Sequence, residues 1–170
     1  MKQITLGSSL EVSRLGLGCM GMSAFHTGSG RDEAGAVATI HRAAELGITF
    51  FDTAEMYGPY ANEELLGRAF EGRRDDIVIA TKFGTIRHTA DDAMGLDGSA
   101  ANVRLAVEGS LRRLRTDYID LYYQHRMDPD VPVEETMGAL SELVQEGKIR
   151  HIGLSEAAPP RFGALMPFTR

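Results

Sequence analysis

The sequence predicts an α/β protein built on a parallel sheet, and three observations carry that expectation. Short apolar runs recur at residues 48–51, 77–81, 118–123 and 149–154. Segments with helical apolar spacing separate them, which is the pattern of βαβ units. Three of the runs stop at or beside a residue able to carry charge or a proton, namely Asp52, Lys82 and His125.

Ahead of these runs, residues 3–5 and 11–13 alternate polar and apolar about Gly7-Ser8-Ser9 and are expected to pair as a hairpin. Leu15-Gly16-Leu17-Gly18 reads as a buried strand whose glycines permit close backbone approach. After a glycine-rich loop over 21–30, Arg31-Asp32-Glu33 opens a helix with an apolar stripe at Ala36, Ile40, Ala43 and Ala44. Gly47 is its expected end. The strand at 48–51 leads to a helix over 62–70, with Asn62 a candidate N-cap.

The run at 77–81 is of the kind buried on both faces. A polar loop over 84–98 follows, long enough to suggest a functional segment. Helix 99–115, strand 118–123, helix 133–146 closed by Gly147, and strand 149–154 complete the alternation.

Composition narrows the function classes. A formal charge of −6 with no offsetting basic run argues against a nucleic-acid surface. Arg112-Arg113-Leu114-Arg115, the densest cationic stretch, reads as a solvated helix C-terminus. A single cysteine, Cys19, excludes an internal disulfide framework and reads as a small apolar filler. His26, His41, His88 and His151 lack metal-ligand spacing, so no metal site is expected. The first residues lack the apolar core of a signal peptide, and no run is long enough to span a bilayer. A cytoplasmic location with no membrane partner is the expectation.

Chemistry concentrates in Phe51-Asp52-Thr53-Ala54-Glu55-Met56-Tyr57-Gly58. Catalytic groups at strand ends on one face of a parallel barrel are a recurrent layout. A tyrosine with an ordinary pKa near 10 is a poor acid at neutral pH. A lysine ammonium beside it would lower that value and make the phenol a competent proton donor. A carboxylate would hold the lysine, and a histidine could assist at a carbonyl oxygen. Tyr57, Lys82, Asp52 and His125 fit these roles together. Taken one at a time, each also has a structural reading: a loop cap, a packing ring, a solvated lysine, a hydrogen-bonded strand-end histidine.

The motifs Leu15-Gly16-Leu17-Gly18-Cys19-Met20, the Phe51–Gly58 run, Asn62-Glu63, Ala80-Thr81-Lys82, Tyr118 through His125 and Lys148 through Ser155 resemble the N-terminal part of the aldo-keto reductase family. That resemblance implies a (β/α)8 TIM barrel that reduces aldehydes and ketones with NADPH. It implies Tyr57 as the general acid, Lys82 tuning it, Asp52 pairing with Lys82, and His125 at the carbonyl. Gly18, Cys19, Met20, Asp52 and Ser155 would face the cofactor, and Glu156 stands where the family often has asparagine. The partner would be a small-molecule carbonyl substrate.

A full barrel needs about 250 residues. The expected fold is therefore an incomplete (β/α)8 barrel: a hairpin plus about five βα units over 1–159. Residues 160–170 depart from the family pattern and are expected to form a non-family tail, as a reading-frame shift would produce. Activity is expected to be impaired, with self-association through exposed sheet edges. A non-enzymatic regulatory or inactive fragment is the alternative.

Overall fold

The computed structural model describes residues 1–23, 32–87 and 94–157. The expected tail, His26 and His88 lie outside them. In chain order the strands are β1 (Gln3–Leu6), β2 (Leu10–Ser13), β3 (Gly16–Gly18), β4 (Phe50–Asp52), β5 (Val78–Phe83), β6 (Thr85–Arg87), β7 (Met94–Leu96), β8 (Ile119–Gln124) and β9 (Ile149–Leu154). The helices are α1 (Glu33–Glu45), α2 (Ala61–Ala69), α3 (Ala100–Leu114) and α4 (Val133–Gln145). One five-stranded sheet in the order β3-β4-β5-β8-β9 is parallel throughout, so the described residues form an incomplete (β/α)8 barrel.

Period-2 alternation assigns the strand side chains to two layers. Phe51, Ile79, Phe83 and Tyr122 pack outward against Ile40, Leu66, Val107 and Leu140 of the helices. Ala80 and Leu121 face inward, joined by Phe50, Val78 and Tyr123. The β1–β2 hairpin closes this inner layer: Leu10 and Val12 enter the same cluster, against the first residues of β4 and β5. Burial of each large apolar side chain contributes about 1.5–3 kcal/mol. The inner layer is thus plugged at the strand starts, leaving the other rim for polar groups.

Gly47 (φ 86°) and Gly147 (φ 76°) follow α1 and α4 in the left-handed region, as expected of helix ends. Four expectations need correction. The strand containing Leu17 lies at a sheet edge, and Leu15 before it is 61% exposed, because β3 pairs only with β4. The polar segment 84–98 is not all loop: β6 and β7, three residues each, form an antiparallel ribbon with Thr85 opposite Leu96. Asn62 is not a cap; α2 starts after Tyr60 (φ 66°), and Asn62 is fully buried. Arg113 is not a solvated helix end, since its Nε donates to the buried Glu63 carboxylate at 2.6 Å.

Candidate active site

At the C-terminal rim of the sheet, inward parity brings Asp52, Lys82 and His125 together, and the turn after β4 adds Tyr57. Asp52 is the last residue of β4, Lys82 lies near the end of β5, and His125 follows β8, its backbone N–H donating to Phe83 O at 2.9 Å. Lys82 Nζ pairs with Asp52 Oδ1 and donates to Thr53 O at 2.8 Å. Tyr57 leaves the end of β4 on a tight turn, Tyr57 N–H to Ala54 O at 3.1 Å, and folds back over this pair. Gly58 (φ 79°) permits that turn; a Cβ there would approach Ser23 O to 2.8 Å. Lys82 Nζ lies 5.3 Å from the centroid of the Tyr57 ring, and the His125 ring meets Tyr57 edge-on at 5.8 Å.

Burial displaces the protonation equilibria here. It pushes the Asp52 carboxyl up, against the opposing pull of Lys82. It pushes His125 down to about 4, helped by the charges of Lys82 and Arg126, so the imidazole is neutral at pH 7. The His125 Nδ1 atom is buried without a hydrogen bond. Burial, then the Asp52 charge, pushes the Tyr57 phenol up, with Arg126 opposing. The expectation that Lys82 lowers the phenol is therefore not met. Its ammonium is neutralised by Asp52 and sits over the ring. Arg126 is paired with Glu156, which stands at φ 55° beyond β9.

The residues expected to face a cofactor occupy the same rim. Gly18 ends β3 opposite Asp52 and is exposed; Met20 starts a 3-10 turn over Met20–Met22 and is half-buried. Cys19 is fully buried, its N–H donating to Asp52 O at 2.8 Å. Its thiol is pushed up to about 12 by burial, which suits a filler rather than a nucleophile. Ser155 lies past β9, its N–H on Gln124 O at 3.0 Å. Gly18 and Ser155 thus flank the four side chains from the two edges of the sheet.

Two residues absent from the expected site support it. Asn62 accepts from Thr53 Oγ1 at 2.6 Å and donates to Cys19 O at 2.8 Å and Ser23 Oγ at 2.6 Å, joining α2 to the ends of β3 and β4. The available signal was an amide one turn before Leu65 and Leu66, on the apolar face of α2. Glu55 is buried, and its Oε1 accepts from Gly84 N–H at 2.9 Å. Clefts of about 420 Å³ lie on the helical exterior, one lined by Met22, Glu33, Leu65 and Arg68 and another by Arg68, Arg112 and Arg115. Neither touches the four rim side chains.

The aldo/keto reductase family model matches residues 14–163. Probable aldo-keto reductase 1 from Glycine max is 47% identical over 174 aligned positions, taking in 99% of this chain and 50% of that protein. The holo form of aldo-keto reductase AKR11C1 from Bacillus halodurans superposes with a TM-score of 0.89 at 42% identity, over 98% of this chain and 54% of its own. An aldo/keto reductase from Klebsiella pneumoniae, solved with NADP and acetate, gives 0.81 at 34% identity, over 97% and 53%. The chain spans about half the length of these relatives. A match that takes in most of the sequence, on a fold these structures share, carries one conclusion: the chain belongs to the aldo/keto reductase family.

Proposed function

We propose that the rim around Tyr57 reduces aldehydes and ketones to alcohols with NADPH. One observation carries the reading: a protonated phenol held between a lysine–aspartate pair and a neutral imidazole. Bound NADPH supplies the hydride. Tyr57 donates the proton to the carbonyl oxygen. His125, its ring neutral and edge-on to Tyr57, offers a hydrogen bond that orients that oxygen. Asp52 and Thr53 O hold the Lys82 ammonium over the Tyr57 ring, where it positions the phenol.

The donor set fits this cofactor. Gly18, Met20 and Asp52 on one side and Ser155 on the other would hold it, and Cys19, wholly buried with its N–H donating to Asp52 O and its C=O accepting from Asn62, braces that wall from behind. The NADP-bound relative from Klebsiella pneumoniae supports the choice of cofactor. No described helix is long and apolar enough to cross a membrane, and we place the activity in the cytoplasm.

Among the described residues the sheet is open at β3 and β9, so we expect weak NADPH binding, slow turnover and self-association through those edges, the last read by size-exclusion chromatography. The test is NADPH oxidation with a reactive aromatic aldehyde, beside fluorescence titration of NADPH. Tyr57→Phe is expected to keep cofactor binding and lose turnover about 10²-fold or more. Turnover indifferent to Tyr57→Phe overturns the site, and wild-type turnover near the typical ~10 s⁻¹ overturns the expected impairment.

A further inference from the structure

The β4–β5 ladder continues past the last paired residue of β4. Thr53 N–H donates to Ala80 O at 2.8 Å and Glu55 N–H to Lys82 O at 3.1 Å. In a regular parallel ladder the next bond would run from Gly84 N–H to the backbone carbonyl of Glu55. That carbonyl is otherwise engaged: it accepts from Tyr60 N–H at 2.7 Å and so closes the turn that carries Tyr57. Gly84 N–H goes instead to Glu55 Oε1 at 2.9 Å.

We propose that Glu55 is a positioning residue whose carboxylate replaces its own backbone carbonyl in the sheet. It keeps β5 bonded to Gly84 while releasing the chain to turn Tyr57 back over Lys82. The proposal rests on the functional reading of Tyr57 and Lys82. Its two contacts flank Phe83, the last residue of β5: Lys82 O before it and Gly84 N–H after it. Glu55 and Gly84 are both buried, so no water stands ready to take over the orphaned N–H. The carboxylate is faced by Glu63 of α2, Arg113 of α3 and the Tyr122 phenol of β8. Burial and Glu63 push it up to about 7, against Gly84 N–H and Arg113.

The test reads the cofactor-free chain by NMR. In Glu55→Ala, amide exchange at Gly84 should accelerate on the order of 10-fold or more and the Tyr57 ring signals should move. Glu55→Gln keeps an acceptor and should leave Gly84 protected. Asp120→Asn, destabilised at the far end of the same strands, should leave both probes unchanged. Equal changes at Gly84 and Tyr57 in Glu55→Ala and Asp120→Asn overturn the proposal. Should Glu55→Ala not fold, the Gly84 amide shift decides: it should titrate near pH 7 in the wild type and stay flat in Glu55→Gln. A wild-type shift that is flat across neutral pH overturns it. Because these readouts need no cofactor, carbonyl turnover indifferent to Tyr57→Phe would sink the functional reading and leave them untouched. Where turnover is measurable, Glu55→Ala should lower kcat with KM little changed.

Discussion

Two clusters of an aspartate with its cations sit at opposite ends of the same sheet, and they are finished differently. At the strand starts Asp120 is almost wholly buried and fully engaged: Arg74 Nη2 donates to it at 2.6 Å, Ile79 N–H at 3.0 Å and Arg150 Nη1 at 3.3 Å. The Tyr118 ring lies between the two guanidiniums, 4.1 Å from Arg74 and 3.7 Å from Arg150. At the strand ends Asp52 is one-third exposed, His125 Nδ1 is buried without a hydrogen bond, and Asp52, Tyr57 and His125 are all displaced from their ordinary protonation ranges. A cluster that satisfies every group supports structure. One that leaves a buried donor or acceptor open and its acids displaced is poised for chemistry.

Substitutions that separate activity from stability break this comparison most sharply. Tyr57→Phe should remove about 10²-fold or more of the carbonyl-dependent NADPH oxidation and shift the urea midpoint little. Asp120→Ala should do the reverse. It removes the counter-ion of the largely buried Arg74 guanidinium and leaves Ile79 N–H unpaired, at a cost of about 3 kcal/mol in urea unfolding. A loss of turnover in Asp120→Ala, under conditions where the chain stays folded, would mean that the two ends are not independent.

The framework was legible in the sequence because its signals are local. Apolar runs that stop at Asp52, Lys82 and beside His125 locate the strand ends, and Gly47 and Gly147 locate helix ends. The remainder depends on what lies across the fold. Asn62 sits near a helix start, where a capping and a bridging amide look alike until Thr53, Cys19 and Ser23 are seen around it. Arg113 looks like a solvated cation until Glu63, buried on the neighbouring helix, is placed beside it. The upward displacement of Tyr57 follows from burial and then from the Asp52 charge, which no spacing reveals. The β6–β7 ribbon has only three residues in each strand, Thr85-Ile86-Arg87 and Met94-Gly95-Leu96, too short a run for alternation to announce it.

Asn62→Ala probes the support beneath the reactive rim. It leaves Cys19 O and the hydroxyls of Thr53 and Ser23 short of a partner in a buried setting. A loss of about 1–3 kcal/mol is expected in urea unfolding. NADPH titration should weaken with it, because Cys19 and Thr53 anchor the ends of β3 and β4. A stability loss with unchanged NADPH affinity would place Asn62 with Asp120, as structure alone.

The smallest expected effects are opposite slopes of stability with pH at two neighbouring rim residues. Glu55 has its folded value raised to about 7 from an ordinary 4.5, so the native state binds the extra proton between those values. Stability from this group is full below about 4.5 and falls as pH rises through 7, by about 3 kcal/mol. His125 is depressed to about 4 from 6.5, so the unfolded state binds the extra proton there, and stability falls as pH drops from 6.5 toward 4. Glu55→Gln should therefore flatten the alkaline side of the stability profile, and His125→Gln the acid side. Urea midpoints taken across this range check both. A Glu55→Gln profile parallel to that of the wild type above pH 5 would mean that the carboxylate is not held in the buried setting that links it to Gly84.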